Sequence, residues 1–232
     1  MRRSVSLAAA GVELGLVAGA CYARWLKPRQ DRWGATEEEV RAPLPGDELL
    51  PDPDAQNTRA ITIDAPPVAV WPWLVQIGAD KAGFYSYDWL EDAFGLGIHS
   101  ADRVVEEWQR LEVGDIVYAA RNRGGGWYVV DVRPGEALVL QMADLAQGRP
   151  LRRGTAAWEF QWTFALRDLG DGRTRLLVRE RVGFSTPTVR LLMAPAGPVS
   201  FVMTRRMLLG IKQRVERQAG GRATAPSAYQ PA

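Results

Sequence analysis

In the last third of the chain, apolar residues recur every four positions: Val199, Met203, Met207, Ile211 and Val215, widened by Val202, Leu208 and Leu209. This spacing predicts a long C-terminal helix, Gly197 to Arg217, whose broad apolar face another element must cover. Upstream the period changes to two. Thr58 to Asp64 alternates around Ile61 and Ile63, and Trp158 to Leu166 and Thr174 to Phe184 alternate over longer runs joined at Gly170-Asp171-Gly172. Alternation of this kind marks strands with one face in a core. Shorter strands are expected at Ile116 to Ala120, Trp127 to Val132 and Ala137 to Met142, divided by glycine and proline turns, and residues 144–154 read as a loop. After the first strand, Val68 to Ile77 and Tyr85 to Phe94 read as two short helices, with Pro72 expected to split the first. The order implies an α+β fold: a curved antiparallel sheet of about six or seven strands wrapped around the terminal helix, with a cavity between them.

The flanks have other compositions. Ser4 to Ala23 is apolar and carries Glu13, with Arg2 and Arg3 before it and Arg24, Lys27 and Arg29 after it. On insertion scales the acidic residue costs roughly 2.5–3.5 kcal/mol, and each of the three leucines and three valines returns about 0.3–0.6. The glycines at 11, 15 and 19 form a small-residue stripe suited to close helix approach. Residues 1–26 therefore read as a hydrophobic segment with three readings: membrane anchor, cleaved signal peptide, or helix packed on the domain. An anchor would leave the domain membrane-associated and cytoplasmic; without one the chain is expected in the cytoplasm. Residues 27–56 open with a capping box at Thr36 and Glu39 and continue through Pro43, Pro45, Pro51 and Pro53, as a linker or as an arm pinned by Trp33, Leu49 and Leu50. The domain is placed at 57–218 and a disordered tail at 219–232.

The net charge of +2 on 29 basic and 27 acidic residues leaves no footprint for nucleic acid. One cysteine, Cys21, and one histidine, His99, exclude a disulfide framework and a multi-histidine metal site. No cofactor or metal is implied, and the oligomeric state is not legible. Tryptophan is the outlier: nine in all, seven of them between Trp71 and Trp162.

Several local phrases carry a resemblance: APPVAVWPWLVQIG (65–78), AGFYSYDWLED (82–92), IHSADR (98–103), EWQRLEVGD (107–115) and FVMTRRMLLGIKQRVE (201–216). With the element order, they resemble an uncharacterised bacterial branch of the START-like, or SRPBCC, superfamily of helix-grip proteins, over about residues 33–217. The resemblance implies a hydrophobic ligand held between sheet and helix, with catalysis in only some members.

Candidate contacts follow from the residues themselves. On one face of their strand, Trp158, Phe160, Trp162 and Phe164 would line a cavity or fill it. Glu180 shares a face with Leu176, Val178 and Val182, where a carboxylate needs a partner or a task. Arg175, Arg179 and Arg181 point the other way. Trp73, Gln76, Tyr85, Tyr87 and Trp89 crowd the two short helices as a gate or as packing, and Met203 and Met207 lie on the terminal helix. His99, beside Ser100 and Asp102, is a weak candidate for ligand contact or proton transfer; no nucleophile elbow surrounds Ser100. The reading is a binder of a lipid, sterol or aromatic metabolite, for transport or sequestration. Its alternatives are a cyclase or dehydratase using Glu180 or His99, and an interaction domain without a ligand.

Overall fold

The computed structural model describes residues 19–89, 95 and 97–223. Most of the hydrophobic segment at 4–23, the body of the helix expected at 85–94 and the tail beyond 223 lie outside the described residues. Among the described residues no helix is long and apolar enough to cross a membrane.

Seven strands form one antiparallel sheet in the order β1-β7-β6-β4-β3-β2, with β5 paired to β4. They are β1 (Ala55–Ile63), β2 (Ile116–Tyr118), β3 (Gly126–Arg133), β4 (Ala137–Asp144), β5 (Arg149–Pro150), β6 (Trp158–Asp168) and β7 (Thr174–Phe184). The helices are α1 (Lys27–Asp31), α2 (Glu37–Arg41), α3 (Pro67–Val75), α4 (Pro187–Met193) and α5 (Ala196–Ala223). Met207, Leu208, Ile211 and Val215 of α5 join Phe164 and Leu166 of β6, Leu176 and Val178 of β7 and Val70 and Leu74 of α3 in one core. This is the helix-grip arrangement of an α+β fold.

Several expectations change in detail. Helix α3 runs unbroken through Pro72, at the loss of one internal hydrogen bond. The first strand begins at Ala55 rather than Thr58, and the loop after β4 contains β5. Tyr85 is not helical: its φ of 56° is left-handed, and helix appears only at Asp88. Helix α5 continues through residues expected in the tail, to Ala223. The inward face of its first half is also not the apolar stripe. Val199 and Val202 are 42% and 43% exposed, whereas Thr204 is buried and Ser200 half-buried.

Residues 34–51 lie along the outer face of the sheet, fastened by the three outward arginines of β7. Arg175 grips the Glu39 carboxylate with two hydrogen bonds, of 2.7 and 2.8 Å. Those bonds are the main reason the Glu39 carboxyl sits below the usual range; burial opposes them, and the capping-box bond from Thr36 assists. Arg179, 2% exposed, donates to Asp47 at 2.6 Å, to Thr58, and to the carbonyls of Glu39, Val40 and Ala42. Arg181 donates to the carbonyls of Leu50 and Pro51. The last carbonyls of α2, and those of Ala42, Leu50 and Pro51 after it, thus find their donors on the sheet, and Leu44 packs on Ala165 and Leu177 beneath them.

Removing the central arginine tests this fastening. Arg179→Met is expected to lower stability in urea by about 3 kcal/mol, the scale for breaking a buried pair, and to expose residues 34–54 to limited proteolysis. Unchanged protease resistance would contradict it.

Candidate functional site

The inner face of the sheet is ordered in rows across β6, β7 and β1. β7 is the middle strand of each row: Phe184 faces Trp158, Val182 lies between Phe160 and Ala55, Glu180 between Trp162 and Asn57, Val178 between Phe164 and Arg59, and Leu176 between Leu166 and Ile61. Burial follows the rows. Trp158, Phe160, Val182 and Phe184 are half-exposed, and from Trp162 and Glu180 inward the face is buried except at the partly buried Ile61. The inner face is therefore closed at one end and partly exposed at the other. The rings form a continuous wall. Trp162 lies 4.7 Å from Phe164, 5.2 Å from Trp127 and 6.2 Å from Phe160, centre to centre, the last in the edge-on arrangement that aromatic quadrupoles favour. Phe84 reaches in from its loop and packs on Trp127 and Trp162. The separation expected along the whole helix is thus absent in the inner rows, where wall and helix share one core, and the exposed rings belong to the outer rows.

Glu180 stands at the boundary and is 4% exposed. Its oxygens accept from Ser200 Oγ and Thr204 Oγ1, each at 2.6 Å, from Arg59 at 3.1 Å and from Asn57 Nδ2 at 3.2 Å. Burial, the strongest single influence, pushes the carboxyl pKa up. The Arg59 charge and the bonds from Ser200, Thr204 and Asn57 together outweigh it and hold Glu180 below the usual carboxylate range. Such a group is ionised and fully engaged, which suits orientation and charge balance better than proton transfer. Arg59 continues the chain of contacts: its Nε donates to the Gln30 carbonyl at 3.0 Å, and its guanidinium lies over Phe201.

The phrases that carry the family resemblance meet at the sealed end. Gln76, fully buried, donates to Tyr85 Oη at 2.9 Å and to the Arg103 carbonyl, and accepts from Val105 N and Gln109 Nε2. Tyr85 donates to the Trp73 carbonyl, stacks edge-on against the Trp73 ring and lies under the Arg214 guanidinium. Burial, chiefly, pushes its phenol pKa far up. Trp73 Nε1 donates to Gln218. Arg214 in turn donates to the Ala101 carbonyl and pairs with Asp102. Gly210 lets the two backbones approach, since a Cβ there would run into the Tyr85 carbonyl oxygen. Trp73, Gln76 and Tyr85 thus spend their polar groups on a structural knot. The other candidates lie around it: Tyr87 under Arg206, Trp89 67% exposed, His99 on an exposed loop, Met203 half-buried against Ser86, and Met207 in the core. Ser100 donates to Asp88, which leaves no triad with His99.

Two residues at the boundary were not singled out from the sequence. Asn57 and Arg59 share the strand parity of Ile61 and Ile63, so a cation on an apolar face was there to be read, as with Glu180. A surface groove of about 490 Å³ lies at the half-exposed end, between Leu50, Asp52 and Asp54, the segment Arg153 to Glu159 and the end of β7 at Gly183 and Phe184.

Two substitutions probe these arrangements. Glu180→Gln leaves Arg59 buried without its counter-charge and is expected to cost about 3–5 kcal/mol in urea unfolding at neutral pH. Because the folded-state pKa is depressed, this stabilisation is present above the ordinary carboxylate pKa and is lost as pH falls through the lower folded value. The gap between wild type and variant should therefore close on acidification, and a gap independent of pH would contradict the assignment. Gly210→Ala adds about 1 kcal/mol of helix propensity yet should destabilise the protein, because the methyl group meets backbone; a rise in melting temperature would contradict the knot.

No family model matches the chain, and no curated protein matches it by sequence. Solved structures do align. Protein MLL2253 from Mesorhizobium loti is 17% identical with a TM-score of 0.41, over 70% of this chain and 98% of its own. A norcoclaurine synthase point mutant from Thalictrum flavum, in complex with a transition-state analogue, is 12% identical with a TM-score of 0.43, over 71% of this chain and 96% of its own. Likeness this distant carries no inference about activity, and the helix-grip fold stands on the strand order and helix placement themselves.

Proposed function

We propose that this chain binds a small apolar, ring-bearing molecule at the open end of its grip. One observation carries the reading: an aromatic wall that is sealed at Phe164 emerges half-exposed at Phe160 and Trp158, with Trp127 and Phe84 beside it. Burying about 300 Å² of apolar ligand surface there would supply about 7 kcal/mol before ordering costs, enough for a metabolite held reversibly. The fully engaged, ionised Glu180 and the exposed position of His99 support a holding role over proton transfer. Transport or sequestration of a sterol or an aromatic metabolite is the function that follows.

Titration of the intrinsic tryptophan fluorescence with a sterol, a fatty acid and an aromatic polyketide tests it. One class should bind saturably, and Phe160→Ala should weaken that binding about tenfold or more, the worth of a buried ring. No response to any of the three would favour an interaction domain without a ligand.

A further inference from the structure

The helix near the start of the described residues presents a side that the domain does not cover. A π-helical turn, Tyr22–Leu26, runs directly into α1, where Pro28 has no N–H to donate to a regular turn. One side is fastened down. Tyr22 Oη donates to the Gln30 side chain at 2.9 Å, the Gln30 carbonyl accepts from Arg59, and just beyond the helix the Trp33 ring lies under the Arg205 guanidinium. The other side borders an open groove of about 410 Å³, lined by Arg24, Trp25, Pro28, Arg29 and Arg32. Arg29 is held beside Trp25 by a 3.2 Å bond to its carbonyl, and Trp25 and Leu26 are 68% and 50% exposed. Lys27 and Arg32 are neutralised by Asp31 and Glu37. Neither Arg24 nor Arg29 meets a carboxylate among the described residues.

We propose that this side docks on an anionic lipid bilayer, with lipid phosphates at Arg24 and Arg29 and with Trp25 and Leu26 entering the headgroup layer. Guanidinium forks take phosphate oxygens two at a time, and indole rings settle at the membrane–water interface. Two features of the sequence favour lipid over an acidic protein as the occupant. From Leu14 to Gln30 the chain has no acidic residue, so no fixed charge opposes an anionic surface. The apolar run Ser4 to Ala23 also leads straight into Arg24 and Trp25. Apolar insertion and a basic patch are the pair of signals that together hold a protein at a membrane. Docking of this kind needs no spanning helix, and it is independent of ligand binding at the aromatic wall.

Co-sedimentation of the full chain with vesicles tests it, using phosphatidylcholine alone and equal parts of phosphatidylcholine and phosphatidylglycerol. The expected result is tighter binding to the anionic vesicles, weakened about thirtyfold in the double variant Arg24→Gln/Arg29→Gln, as for two basic residues at a charged surface. Both side chains are exposed, so the variant should keep the wild-type melting temperature. Brominated acyl chains should quench the tryptophan fluorescence of the bound wild type and quench Trp25→Ala far less; equal quenching would contradict the insertion of Trp25. Equal binding to both kinds of vesicle, unchanged by the arginine substitutions, would assign attachment to the apolar run alone and overturn the proposal. Binding to neither, as for a side that meets an acidic protein, would overturn it too. So would displacement from the anionic vesicles by millimolar inorganic phosphate at constant ionic strength, the behaviour of a site for a soluble anion.

Discussion

The architecture depends on one buried charge. Glu180 sits on an apolar strand face, where an unpaired carboxylate would be untenable, so its partners must converge on it. They come from three directions: Asn57 and Arg59 from β1, Ser200 and Thr204 from α5, and, through Arg59, the Gln30 carbonyl of α1. Satisfying this charge sets the rotation of the first half of α5. It turns Ser200 and Thr204 inward and leaves Val199 and Val202 toward solvent. A buried ion pair of this kind adds little net stability over a hydrophobic replacement, but it penalises every arrangement in which a partner is missing.

A second fixed point lies further along the same helix, where Gly210 and Arg214 receive the Tyr85 loop and Gln76 ties that loop to the segment around Val105. Between the two points runs the aromatic wall. The helix is thus pinned at a polar locus near the open end and at a knot near the sealed end, and the exposed rings are what this geometry leaves uncovered. The arm on the outer face adds a third restraint. Arg175, Arg179 and Arg181 bind it to β7, the strand that carries Glu180 on its other side.

Much of this was legible because strand parity is local. The alternation on β6 and β7 correctly divided Trp158, Phe160, Trp162, Phe164 and Glu180 from the three arginines, and the order of elements pointed to the fold. What escaped depended on contacts distant in sequence. The partner of Glu180 is Arg59, more than a hundred residues away, and only the pairing of β1 with β7 brings them together. The helix stripe misled for the same reason: a period-four count ranks Val199 and Met203 inward, whereas desolvation of one carboxylate overrides hydropathy there. Tyr85 adopts a left-handed backbone that its own residue type disfavours, a strain its buried hydroxyl bonds and the close passage at Gly210 hold in place. The phrases quoted for the resemblance supply the residues of the knot rather than those of the exposed wall.

The most direct test of an open-ended grip is native mass spectrometry of the full chain, purified without detergent from cells and compared with the same sample after denaturation. The account predicts a second native species, heavier by one small apolar molecule that denaturation releases. Only the bare polypeptide mass, both as purified and after incubation with an apolar extract, would contradict it.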